Sequence, residues 1–354
     1  MSSRASPADE RKSTPSSVYP YAPAWWLPGP HARTMWGKFF RRTPPLPTRV
    51  ERWDTDDGDF IDLVRLDAPL GRPHLIVLHG LEGTARSHYV RGLFLEAARR
   101  GWAADLLLFR GCGGELNRTR RFYHSGETGD LSAVSHALLG ADRTAPFFVA
   151  GVSLGGNVLL KWLGERGART DPRVVAAAAV SVPFDLARAA QRIDQGFSRV
   201  YQRHFLQSLR AKALAKIDRI PDLASRSRVE SARTLYAFDD AVTAPVHGFA
   251  DADDYYSRSS SLGFLSEIRV PTFLLSAIDD PFLPPDVLHA VERVAADNSK
   301  IELEFVQKGG HVGFIAGPNP LRPFYYAEWR VMRFFDRALA AYDRSVGALR
   351  SGVV

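Results

Sequence analysis

Along most of the chain, short unbroken apolar runs alternate with segments whose apolar residues recur every three or four positions. FIDLVRL (60–66) alternates apolar and polar residues, the period of a strand. HLIVLHG (74–80) is a continuous apolar run closed by His79 and Gly80. SHYVRGLFLEAARRG (87–101) has helical spacing, with Gly101 where a C-cap belongs. WAADLLLFRG (102–111) reads as a strand, GDLSAVSHALLG (129–140) as a helix and APFFVAGVS (145–153) as a strand. A helix over 154–166 and the strand VVAAAAVSV (174–182) follow. Further on come a strand at PTFLLSA (271–277), a helix over 285–296, a strand at IELEFV (301–306) and a long helix over about 323–342. Continuous apolar strands separated by helices predict an α/β fold whose mostly parallel sheet is covered on both faces.

One segment breaks this rhythm. Residues 183–269 hold helical runs and a polar, Ser-rich stretch, ADADDYYSRSSSLGF, with no convincing strand. A helical insertion after a central strand sits above the carboxyl edge of the sheet, where such folds bind ligands. It is expected to act as a cap that shapes a pocket. The core then comprises 49–182 and 270–345, with a C-terminal tail over 346–354. Residues 1–18 lack the apolar middle of a secretory signal and read as a disordered tail. Residues 19–48 form an aromatic arm with three Trp and two Phe. The simpler reading packs these rings onto the body; the sharper one makes them a peripheral contact with membrane or lipid.

Composition changes this picture little. Of 354 residues, 45% are apolar and 24% charged, ordinary for a soluble globular chain. A net charge of +7 raises the question of an acidic partner. Seven Lys against 39 scattered Arg, without an aromatic-basic platform, point instead to a solvated surface and to no nucleic-acid partner. No stretch approaches the roughly 20 apolar residues of a membrane span. The lone Cys112 excludes an intrachain disulfide and fits a reducing, cytoplasmic setting. No pattern speaks to oligomeric state.

The chemistry concentrates where the strand ending at Val152 becomes a helix. Gly151-Val152-Ser153-Leu154-Gly155 fits G-x-S-x-G in the strand–turn–helix context that gives the motif meaning. Glycines two positions either side relieve crowding at a tight turn, and the helix N-terminus favours negative charge there. Ser153 is the candidate nucleophile. A serine hydroxyl needs a base, and His311, in the Gly-rich VQKGGHVGF after the last predicted strand, is the candidate. His79 more simply shapes the turn after its strand, and His31 and His124 read as structural. A carboxylate must hold the base in one tautomer. Asp279 and Asp280 follow the strand 271–277; Asp280 is preferred because it stands four residues before Pro284, as the acid does in related hydrolases, and Pro281 holds it extended. Asp279 stays as the alternative. The chain order Ser…Asp…His is that of the α/β-hydrolases. Oxyanion donors are expected at the backbone N–H of Leu154 and, after the third strand, of Leu81; one such donor supplies about 3 kcal/mol to the barrier.

Other chemistries find no support. No His/Cys cluster has metal-ligand spacing, GCGGE (111–115) lacks the Lys-Ser/Thr of a phosphate loop, and GGNVLL (155–160) lacks the dinucleotide fingerprint. No metal and no cofactor are expected, and Cys112 reads as a packing residue.

Seven segments in order carry a resemblance over residues 21–339: PAWWLPGPHARTMW, LHGLEG, FRGCGGELNRTRRFYHSGETGDL, GVSLGGNVLLKWLGE, FDDAVTAPVHGFADADDYY, DDPFLP and GGHVGFI. With them the chain resembles the YheT-like α/β-hydrolases, whose eukaryotic relatives are membrane-anchored ABHD lipases and plant EMB8-type proteins. The resemblance implies a serine hydrolase acting on acyl esters, with Ser153, one Asp of the pair and His311 as charge-relay residues. It assigns no role to the segment 117–128. The expectation is a cofactor-free esterase acting on a small-molecule acyl ester. Acyl transfer by the same residues, or a non-catalytic binding scaffold, are the alternatives.

Overall fold

The computed structural model describes residues 20–350, so the tail expected over 1–18 lies outside the described residues, as do 351–354. The chain opens with α1 (Gly29–Phe40), its start preset by Pro28 and Pro30. Then come β1 (Thr48–Asp54), β2 (Phe60–Leu66), β3 (His74–Leu78), α2 (His88–Arg99), β4 (Ala103–Leu108) and α3 (Gly129–Ala141). β5 (Phe147–Val152) runs directly into α4 (Leu154–Arg166), followed by β6 (Val174–Val180). The cap segment contributes α5 (Leu186–Ile193), α6 (Arg199–Ile217), α7 (Arg226–Ser231), α8 (Leu235–Phe238), α9 (Ala244–His247) and α10 (Ala252–Ser259). β7 (Thr272–Ala277), α11 (Pro285–Ala296), β8 (Ile301–Val306) and α12 (Tyr326–Arg350) complete the core.

The eight strands form one sheet in the order β1-β2-β4-β3-β5-β6-β7-β8. β1/β2 and β2/β4 pair antiparallel, and the remaining pairs are parallel. Even in a fully buried strand the side chains alternate between faces. Ile76 and Leu78 of β3 pack with Leu159 and Trp162 of α4 and Val291 of α11. Leu75 and Val77 pack on the other face with Phe94 of α2 and Phe335 of α12. The sheet is thus covered twice, and its central strands β5 and β6 carry no polar side chain.

Four elements differ from the sequence reading. β1 (TRVERWD) is an edge strand whose charges pair across the ladder, as Arg52 does with Asp62 at 2.7 Å, so it lacks an apolar run. α1 lay unrecognised inside the aromatic arm. α12 continues to Arg350, eight residues beyond the predicted end, so residues 346–350 are helix and not tail. Within the cap segment, the turn Ser261–Glu267 buries Leu265 in the main core. The cap has its own apolar cluster, in which Leu206 and Ile217 of α6 meet Phe238 and Val242. Among the described residues no helix is long and apolar enough to cross a membrane.

Candidate active site

Ser153 sits at the β5–α4 junction with φ +53° and ψ −121°. A non-Gly residue there is strained, and such strain persists only where the surroundings enforce it. Ser153 N–H donates to Val180 O at 2.8 Å, while Ser153 O accepts from Gly156 and Asn157 N–H at 2.9 and 3.1 Å. The flanking glycines let the helix press onto the sheet. A Cβ on Gly155 would lie 2.5 Å from the carbonyl oxygens of Leu78 and His79, and one on Gly151 2.5 Å from Gly155 O.

His311 Nε2 lies 3.0 Å from Ser153 Oγ, and its Nδ1 lies 2.8 Å from Asp280 Oδ2. The other Asp280 oxygen accepts Phe282 N–H at 2.8 Å, and the Phe282 ring packs 4.2 Å from the imidazole. Asp280 is fully buried. These three side chains come from three separate strand ends, and the sheet brings them together.

Asp279 faces elsewhere. One of its oxygens accepts Gly309 N–H at 2.7 Å and Gly310 N–H at 2.8 Å; the other pairs with Arg33 of α1 at 3.2 Å. Thr34 Oγ1 accepts His311 N–H at 2.9 Å, and Ser181 Oγ accepts Val312 N–H at 3.0 Å. Four consecutive N–H groups of the His311 loop are therefore each held by a named acceptor. Gly310 has φ +65°, and a Cβ there would meet Pro30 O at 2.5 Å, so α1 leans directly on this loop. Sequence reasoning missed Arg33, Thr34 and Ser181. A buried-type Arg-Thr pair beside prolines in the arm was the available signal.

At the turn after β3, Gly80 N–H donates to Tyr89 OH and Glu82 N–H to Tyr123 OH, each at 2.9 Å. The N–H of Leu81 between them has no acceptor among the described residues, and neither does that of Leu154. Both residues line the same cavity as Ser153. His79 lies beneath this turn. Its Nε2 accepts Phe109 N–H at 3.1 Å, which leaves Nδ1 to donate to Gly80 O at 2.7 Å. Burial lowers its pKa to about 4, so it stays neutral and shapes the turn. His31 meets Tyr201 OH at 3.2 Å, and His124 Nδ1 accepts Gly126 N–H at 3.2 Å.

The segment 117–128 has a physical role that its sequence concealed. The buried Asp59 carboxylate accepts from Asn117 Nδ2, Arg118 N–H and Thr119 Oγ1 at 2.6–2.7 Å. Asn117 Oδ1 in turn accepts Lys216 Nζ of α6 at 2.8 Å. Thus pinned, Phe122 to Ser125 form part of the cavity wall. Glu82 fastens the cap from the other side, through Lys212 at 2.8 Å and Ser208, and accepts Tyr123 OH of the pinned segment at 2.8 Å. Cys112 lies 3.6 Å from Lys212 Nζ, and burial pushes its thiol up to about 12, which leaves it unreactive at neutral pH.

Ser153 and His311 open onto a cavity of about 890 Å³ between core and cap. Its cap-side wall is largely apolar, with Leu186, Ile193, Phe197, Phe205 and Leu209. A concave apolar chamber of this size with a few convergent polar groups suits a small-molecule ligand. Among the described residues no cluster of three or more His, Cys, Asp or Glu could hold a metal ion. Of the arm's rings, Trp26 packs on Trp36 at 4.7 Å and Tyr21 on Tyr326 at 4.8 Å, whereas Trp25, Phe39 and Phe40 stay exposed.

Comparison with known proteins adds to this geometry. The profile described as alpha/beta hydrolase fold matches residues 73–318. The Escherichia coli (strain K12) protein named "Putative esterase YheT" is 39% identical over 316 residues, covering 88% of this chain and 91% of that protein. "Phospholipase ABHD3" of Mus musculus is 29% identical over 337 residues, covering 92% and 80%. "Monoacylglycerol lipase" of Saccharomyces cerevisiae is 30% identical over 291 residues, covering 80% and 62%. Among solved structures, the Pyrococcus furiosus esterase Pf2001 superposes with a TM-score of 0.54 at 18% identity, covering 82% of this chain and 93% of its own, a likeness of fold.

Proposed function

The chain belongs to the α/β-hydrolase family, and on that premise we propose that it is a serine hydrolase that cleaves carboxylic esters through an acyl-enzyme. The observation that carries this reading is the continuous path Asp280–His311–Ser153, at 2.8 and 3.0 Å, ending on a strained serine in an apolar cavity. His311 Nε2 takes the Ser153 proton as Oγ attacks the acyl carbonyl. Leu81 and Leu154 N–H receive the oxyanion of the tetrahedral intermediate, and the N-terminus of α4 adds its dipole. The imidazolium then protonates the departing alcohol, and water repeats the sequence on the acyl-enzyme. Asp280 keeps the Nδ1 proton on its own side throughout and stabilises the cation.

The names of the relatives, an esterase, a phospholipase and a lipase, favour acyl esters. The apolar cap wall suits the acyl chain. Exposed Phe39, at the cavity rim beside Lys38, suits a substrate drawn from a lipid surface. The single buried Cys112 suits a cytoplasmic setting. A panel of p-nitrophenyl esters of 2 to 16 carbons tests the reading. Each buried methylene is worth about 0.8 kcal/mol, so kcat/KM is expected to rise with chain length until the cavity fills. A fluorophosphonate probe is expected to label Ser153. No turnover of any ester together with no labelling would overturn the proposal.

α1 enters the same reading as a positioning element. Arg33→Ala leaves Asp279 without its guanidinium and is expected to lower kcat by about tenfold as the His311 loop loosens, with a stability loss of about 1–3 kcal/mol. Urea unfolding and ester turnover measure the two effects separately. A stability loss with unchanged kcat would detach α1 from the base.

A further inference from the structure

The motif FDDAVTAPVHGFADADDYY begins with the adjacent aspartates Asp239 and Asp240, and the reaction described above uses neither. Asp240 faces outward: it pairs with Arg228 at 2.6 Å and accepts Ala252 N–H at 3.1 Å. Asp239 faces the cavity. It begins a single π-helical turn, Asp239–Thr243, a geometry that recurs at functional sites. Its two oxygens accept Thr243 Oγ1 at 2.6 Å and Tyr256 OH at 2.7 Å.

What it lacks is a counter-charge. The buried carboxylates among the described residues are paired: Asp59 and Asp130 with Arg110, Asp105 with Arg65, Asp62 with Arg52, Glu127 with Arg121, Glu328 with Arg41 and Asp280 with His311. No Lys, Arg or His among the described residues lies within ion-pair distance of Asp239. It is half-buried and lines the wall of the cavity. Burial raises its pKa to about 6, which still leaves it mostly ionised at neutral pH. A carboxylate has about four lone-pair sites, and the two hydroxyls occupy half of them. An anion without a cationic partner, presented to a largely apolar chamber, is costly unless something that enters the chamber bonds to it.

We propose that Asp239 is a polar recognition point of the cavity, accepting a hydrogen bond from a hydroxyl or protonated amine that the ester carries away from its scissile bond. The proposal rests on the hydrolase reading and narrows its substrate class: one arm of the ester is apolar, and the other bears a hydrogen-bond donor. Asp239 acts on selectivity and takes no part in bond cleavage. Asp239 and Ser153 line the same cavity, and the wall between them is tied to α4: Asn157 on its first turn donates to Ser125 O at 2.8 Å, and Ser125 N–H donates to Tyr255 OH at 2.9 Å beside Tyr256.

The test compares matched esters of one acid whose alcohols are alkyl, ω-hydroxyalkyl or ω-dimethylaminoalkyl over two to eight carbons, and the mirror set with the group on the acyl arm. The wild-type protein is expected to prefer a donor-bearing ester by about tenfold or more in kcat/KM at one chain length. Asp239→Asn is expected to cut that preference about tenfold, the usual weight of a hydrogen bond to a charged group. The larger preference, for amine or for hydroxyl, identifies the donor. No preference in the wild type at any length would overturn the proposal, as would a variant that slows all esters equally with the preference intact, the mark of a structural role. Displacement of a fluorescent probe from the cavity by alkanediols, amino alcohols and simple alkanols repeats the comparison without turnover. A protein that binds donor-bearing alcohols through Asp239 and hydrolyses nothing would retain this inference and refute the hydrolase reading.

Discussion

Ser153→Ala is expected to abolish ester turnover, with kcat/KM falling by about 10⁴-fold or more, the loss seen when a nucleophile is removed from a cooperating triad. The same variant is expected to lose fluorophosphonate labelling, and labelling that persists would place the nucleophile elsewhere. Stability separates this loss from misfolding. Alanine keeps the Cβ and therefore the strain of φ +53°, so the unfolding free energy is expected to stay within about 0.5 kcal/mol of the wild type. Ser153→Gly removes that strain and is expected to stabilise the fold by about 1 kcal/mol while also being inactive. A serine retained in a conformation that glycine would hold more cheaply is retained for its hydroxyl.

The two neighbouring aspartates are expected to respond unequally. Asp280→Asn presents an amide to His311 Nδ1, selects the wrong tautomer and is expected to lower kcat by about 10⁴-fold with the geometry kept. Asp279→Asn can still turn its carbonyl oxygen to Gly309 and Gly310, but it loses the ion pair with Arg33. About a tenfold loss is expected there, accompanied by reduced stability. Turnover of both variants at saturating ester measures the ranking, and the reverse order would exchange their roles.

The reason one aspartate touches the imidazole and the other the loop could not be read locally. Spacing to Pro284 and the following Pro281 favour Asp280 but say nothing of where Asp279 turns. What divides the pair is Arg33, 246 positions away, together with two glycine N–H groups some 30 positions downstream. The strand-to-helix junction at Ser153 was legible because an abrupt change of period and three glycines all report on the same tight packing. β6, VVAAAAV, and β8, IELEFV, were legible through unbroken or alternating apolar character. β1 was not, because its Arg and Glu side chains are satisfied by partners on β2 and pattern alone cannot distinguish paired charge from solvated charge. α1 was hidden by prolines that break most helices but here begin one. Asn117 and Thr119 read as loop residues because the carboxylate they serve, Asp59, lies almost 60 positions earlier.

The seat of His311 is built from both halves of the gene's order: Thr34 and Arg33 near one end, Ser181 in the middle, the imidazole near the other. The bond from His311 N–H to Thr34 spans 277 positions. On the proposed reading, ribosomal synthesis delivers the Ser153 hydroxyl 158 positions before the imidazole that takes its proton, and that imidazole gains its footing only when its loop meets α1, the helix made first. Closing so wide a loop adds little entropy beyond a moderate one, but contacts of such long range form late. On that reading chemical competence is a late event in maturation, and chains that stop short of His311 are expected to stay silent.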